Sequence, residues 1–189
     1  MEDNVDMARK IIDEQFKVKG NNAVFWLLAA QRLKRSGDLV FDAYADDLEK
    51  LVKGVSHDEL QNLHNLEIVG CAMLLYGLSI ENVAKGLIAK ANPPAVVNGK
   101  LRKWSGSGHN QKELLKEAGV TLSPQEEDLV TRLTAFVEWA GRYPIPKDVE
   151  NMCVPQRNID PSTPWVPLPF STNEREVYDK LFARLESMF

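Results

Sequence analysis

The chain has 189 residues, of which 44% are hydrophobic and 26% charged, and its formal net charge is −4. That length predicts one domain with a core that buries about 70% of the unfolded surface. The composition excludes a disordered chain or a collagen-like repeat, and the acidity argues against a strongly basic nucleic-acid binder at the level of the whole chain.

The charge is unevenly spread. Residues 1–60 hold 9 basic and 12 acidic side chains, residues 61–121 hold 7 and 4, and residues 122–189 hold 7 and 11. The middle third alone is positive, so an anionic partner is expected to meet it. The N-terminus, Met1-Glu2-Asp3-Asn4, lacks the basic and apolar regions of a secretion signal. The apolar run Ile68 to Ile80 is short of the roughly 20 residues a bilayer needs and reads as a buried helix. Two cysteines make no disulfide framework, and Cys71, inside that run, reads as inert packing. These features predict a cytosolic, reduced protein with no membrane contact.

In chain order, Val24, Leu27, Leu28, Ala30, Gln31, Leu33 and Lys34 have helical spacing, and Ser36-Gly37 predicts an end. A second helix is expected from Leu39 to Lys53, stopped by Gly54. Ser56 and Glu59 have the spacing of a capping box, with the serine hydroxyl and the third-position carboxylate each satisfying a free backbone amide. Residues 66–90 form the central helix, apolar all round in its first half and so expected inside. Gly70, Gly77 and Gly86 weaken that helix but permit close approach of neighbours. Glu81 precedes Lys85 by four residues, the favourable order for an ion pair.

A short helix is expected over Gln111–Ala118. Ser123-Pro124-Gln125-Glu126 is a capped start with proline in the first turn, followed by Leu129, Leu133, Phe136, Val137 and Ala140 on one face. Tyr143 to Phe170 holds seven prolines and reads as an extended arm. Its Met152, Val154, Trp165 and Leu168 suggest that it packs on the bundle rather than remaining a solvated linker. Ser171 and Glu174 cap the final helix.

The segment Lys100-Leu101-Arg102-Lys103-Trp104-Ser105-Gly106-Ser107-Gly108-His109-Asn110 is the best candidate anion site. It joins cations, an aromatic able to stack on a base and a helix start with free amides. Lys112 follows in the first turn. Arg142, after Gly141, either bonds the last carbonyls of its helix, pairs with Glu81 or faces a phosphate. No phosphate-binding glycine loop, zinc spacing or nucleophile elbow occurs. No cofactor and no metal is implied.

The run Leu75-Tyr76-Gly77-Leu78-Ser79-Ile80-Glu81-Asn82-Val83-Ala84-Lys85-Gly86-Leu87-Ile88 resembles the central helix of HEPN domains. Gly108-His109-Asn110-Gln111-Lys112-Glu113-Leu114-Leu115 resembles the helix start that follows it in many such proteins. The helix around Leu27–Leu33 and the closing run Leu133–Pro144 fit the same order, so the resemblance covers about residues 22–146. It implies an all-α bundle of four or five up-and-down helices, frequently a homodimer, which binds RNA or a nucleotide. It also implies a toxin–antitoxin or phage-defence setting, with a cognate partner such as a nucleotidyltransferase-type antitoxin. Catalytic members carry an arginine followed after four to six residues by a histidine on a late helix. Here no histidine follows Arg132 or Arg142, and the one literal match is Arg102 with His109, in the glycine-serine loop.

The expectation is therefore a helical bundle over 1–146, with a proline-rich arm and a C-terminal helix over 147–189 packing on it. It binds RNA or a nucleotide without the usual ribonuclease motif. Lys103, Trp104, Asn110 and Lys112 would contact the ligand beside Arg102 and His109, and Glu81, Lys85 and Arg142 would order them. The alternatives are a non-catalytic protein–protein interaction module or accessory subunit, and a metal-independent ribonuclease using Arg102 and His109.

Overall fold

The computed structural model describes residues 2–56, 59, 62–143 and 170–189. The chain is mostly helical in these parts. Helix α1 spans Glu2–Asn21. Asn22 interrupts it and caps the next helix, accepting from the Val24 amide at 3.0 Å. Helix α2 then runs unbroken from Ala23 to Lys53 and ends at Gly54, whose φ is +86°. The predicted division at Ser36-Gly37 is absent. Gly37 is buried there because α2 crosses the central helix at this point: a Cβ on it would stand 2.8 Å from the Tyr76 ring. Ser36 turns its hydroxyl back to the Arg32 carbonyl and stays in the helix. The glycine serves a close approach rather than a stop.

The Ser56–Glu59 box is formed, with the Ser56 amide donating to Glu59 at 2.8 Å and the reciprocal bond at 3.4 Å. A 3₁₀ turn, His64–Ile68, leads into α3, Val69–Ala91. Asp47, buried on α2, fixes this entry by accepting from the Asn65 amide and side chain, both at 3.0 Å. The hydrogen bond from Lys50, together with that from the Asn65 amide, holds the Asp47 carboxyl below its usual range. The element from His64 to Ala91 is long and apolar enough by composition to cross a bilayer, longer than the run singled out in the sequence. In this structure it is the core helix: Ala72, Met73, Tyr76, Ile80, Val83, Ala84 and Ile88 are all almost wholly enclosed by its neighbours. Cys71 lies on its exposed side and is not core packing.

A two-residue ladder follows α3, β1 (Val96–Val97) antiparallel to β2 (Lys100–Leu101). Helix α4 is Gln111–Glu117, and α5 is Pro124–Ala135, with the predicted capping box present at Ser123 and Glu126. Beyond Ala135 the winding loosens into a π-helical turn, Phe136–Ala140. Gly77 lets α3 approach this region: a Cβ there would meet Val137 at 2.5 Å and the Leu133 carbonyl at 3.0 Å. The proline-rich arm, apart from its ends, lies outside the described residues.

Helix α6, Thr172–Glu186, has the predicted Ser171–Glu174 capping box. It inserts Tyr178, Leu181, Phe182 and Leu185 into the same core as α2, α3, α4 and α5. Each such burial is worth about 1.5–3 kcal/mol. A polar cluster fixes its register. The Arg175 guanidinium lies 5.3 Å from the Phe41 ring centroid and 5.2 Å from that of Tyr76. It pairs with Asp38 at 2.7 Å and Asp179 at 3.0 Å. Lys34 bridges the same two carboxylates, and the Tyr76 hydroxyl donates to Asp38. Burial pushes the Tyr76 and Tyr178 hydroxyls well above the usual tyrosine range. Arg132, partly buried on α5, pairs with Glu174 at the start of α6.

Candidate functional site

The site grows from one turn of α3. Glu81 and Lys85 share a face, both are buried, and Lys85 Nζ donates to Glu81 Oε1 at 2.6 Å. The second carboxylate oxygen lies 3.0 Å from His109 Nδ1. An ionised carboxylate only accepts, so Nδ1 donates in this contact and Nε2 is the nitrogen left facing outward. The His109 side chain is 46% exposed, and its outer nitrogen has no partner among the described residues. A buried pair thus holds one face of an imidazole whose other side is open to a ligand.

The loop that carries His109 is built, not slack. Glu117, from the end of α4, accepts from Arg102 at 2.9 Å, from the Ser105 amide at 3.2 Å and from the Ser105 hydroxyl at 2.5 Å. Trp104 is half-buried against the edge of Trp26, with Lys85 and Arg102 both within 6 Å of its ring centroid. Gly108 packs on Trp104 with φ +76°, a conformation that favours glycine. Ser107 accepts from the His109 amide at 3.2 Å and donates to Glu138 at 3.1 Å. The Glu138 carbonyl in turn accepts from Arg142 at 2.8 Å. Ser107 and Glu138 thus tie the His109 backbone to the π-helical turn, to which Arg142 is also bonded.

The predicted residues divide. Glu81, Lys85 and His109 are brought together directly, a contact across 28 positions that the spacing did not indicate. Arg142 bonds a helix carbonyl, as one reading had it, and lies over Tyr143 rather than on Glu81. Lys103 is exposed and has no ion pair among the described residues. Arg102 is committed to Glu117 and the Asn92 carbonyl. Lys85 and Arg102 lie within 6 Å of the Trp104 ring centroid and Trp26 meets the ring at 78°, so part of its surroundings is taken by the chain's own side chains. Asn110 caps α4 through the Glu113 amide, and Lys112 pairs with Glu127. Among the described residues no cluster of three or more histidine, cysteine or acidic side chains could hold a metal ion.

Sequence reasoning gave no positioning role to Glu117, Ser107 or Glu138, which hold the loop. It also missed Gln111, whose side chain is fully buried beside Gly77 with neither amide atom hydrogen-bonded among the described residues. The arrangement offers a ligand the outer nitrogen of an imidazole whose other nitrogen is held by a buried carboxylate. No protein-family model, no curated protein and no solved structure matches the chain.

Proposed function

We propose that the chain binds RNA or a nucleotide through its phosphates, at the exposed edge formed by Lys103, His109 and Arg142. The observation that carries this reading is the imidazole of His109, held at Nδ1 by a buried carboxylate and open at its other nitrogen. Lys103, in the positive third of the chain, and Arg142, beyond the π-helical turn, are both exposed and make no ion pair among the described residues. Arg102, Trp104, Asn110 and Lys112 leave the ligand face and support the loop. On this reading the helices form a HEPN-like bundle of four or five members in a cytosolic protein, and the resemblance would set it among toxin–antitoxin or defence proteins.

Binding without cleavage is favoured because Arg102, the arginine of the one loose motif match, is neutralised by Glu117. The test incubates purified protein with labelled single-stranded RNA in EDTA, and compares wild type with His109→Ala by band shift and product formation. The reading predicts a shift without cleavage that weakens in the variant. Cleavage lost in the variant would assign a metal-independent ribonuclease instead. Absence of any shift would overturn the binding reading.

A further inference from the structure

The corner where α1 gives way to α2 is held from several sides. Trp26 donates through Nε1 to the Gly20 carbonyl at 2.9 Å. The Val96 amide donates to the Asn21 side chain at 2.8 Å. Gly20 lies so close to β1 that a Cβ on it would stand 2.3 Å from Val96. The end of α1 is therefore pinned both to α2 and to the β1–β2 hairpin. Beside it lies an open groove of about 530 Å³, within the usual size of small-molecule sites.

The lining is of two kinds. Phe16 of α1, Phe25 and Leu28 of α2 and Leu101 of β2 are each 40–42% exposed, and they share the groove with the half-buried Trp26. Single exposed hydrophobic residues are ordinary on a soluble fold, but several that line one concavity mark a surface that a ligand can cover. Lys19 and Arg32 add positive charge from two different helices. Both are exposed, and neither side chain has an acidic partner among the described residues. No acidic side chain lines the groove. Asn82, the one amide side chain in the lining, donates to the Leu78 carbonyl at 2.7 Å. The groove thus has apolar walls and two cations without a counter-charge.

We propose that this groove binds a small amphipathic anion, a free molecule with an apolar chain or ring body and one acidic group. The body displaces water from Phe16, Phe25, Trp26 and Leu28, and the acidic group is met by Lys19 and Arg32. Charge selects the head group: a cationic amphiphile would face two like charges, and a neutral one would leave both cations unmet. A concavity bounded by α1, α2 and β2 covers a free molecule on more than one side, whereas a bilayer surface is met by residues that protrude. None of the lining residues belongs to the Lys103, His109 and Arg142 edge, so the two sites stand or fall separately.

Titration of the full chain with 8-anilinonaphthalene-1-sulfonate, an aromatic anion that fluoresces on apolar surfaces, tests the groove. Wild type is expected to bind one dye per chain. Decanoate should displace it, and decanol, with a similar chain and an uncharged head, should do so about tenfold less well. Lys19→Ala/Arg32→Ala should weaken decanoate by about tenfold and leave decanol unchanged. Both side chains are exposed, so this variant should keep the wild-type melting temperature. Phe25→Gln/Leu28→Gln should weaken both ligands, and Lys10→Ala, outside the groove, should alter neither. Absence of saturable dye binding overturns the proposal. So does equal displacement by decanoate and decanol, or decanoate binding that is insensitive to the loss of Lys19 and Arg32. Flotation with phosphatidylcholine–phosphatidylserine vesicles by a chain that does not bind decanoate would also overturn it and assign the face to a bilayer.

Discussion

Two polar clusters lie along α3, and they are built to different ends. Around Arg175 every charge is met from several sides: Asp38 accepts from Lys34, Arg175 and Tyr76, and two aromatic rings flank the guanidinium. Around Glu81 the inner groups are equally well paired, but the chain of contacts ends on an imidazole with one open nitrogen. A network in which each charge meets an opposite charge fixes helices against each other. A network left open at its outer member can meet a ligand. Burial of charge alone does not distinguish them; the count of unmet donors and acceptors at the surface does.

The contrast can be broken from either side. Glu81→Ala should have the largest effect, about 3–5 kcal/mol, because it leaves Lys85 buried without its carboxylate. It should also free His109 and abolish RNA binding, and chemical denaturation with a parallel band shift reads both. Arg175→Met should cost less, about 2–3 kcal/mol, since the methionine recovers some packing and the lost pairs are part-exposed. Its RNA binding, measured where the variant is still folded, should equal wild type. His109→Ala should lower stability by under about 1 kcal/mol while losing binding, the reverse of Arg175→Met.

Asp47 supplies the smallest and most condition-dependent effect. Its folded carboxyl titrates below the ordinary value of 3.8, so its contribution is fully present above that value and is lost as the pH falls through the lower folded one. Thermal melts of wild type and Asp47→Asn should therefore differ by a constant amount at neutral pH and converge in acid.

Much of this was readable where the governing physics is local. The Ser123–Glu126 and Ser171–Glu174 boxes and the Glu81–Lys85 pair each depend on residues three or four apart. Gly77 and Gly86 were expected to serve close helix approach, and a Cβ on either would collide with a neighbouring element. What was not legible depends on distant partners. Ser36-Gly37 reads as a stop until Tyr76 is placed against it. Trp104 reads as a free stacking face until Lys85, Arg102 and Trp26 occupy its surroundings. His109 meets Glu81 only through the fold of the intervening loop, and Glu117, which anchors that loop, has no local signature.

The central claim is that phosphates are met at the His109 edge by Lys103 and Arg142. The most direct measurement is the salt dependence of single-stranded RNA affinity for wild type and Lys103→Ala/Arg142→Ala. Each phosphate contact contributes about −0.7 to the slope of log affinity against log salt, so losing two should reduce the slope by about 1.4. An unchanged slope in the folded variant would contradict the account.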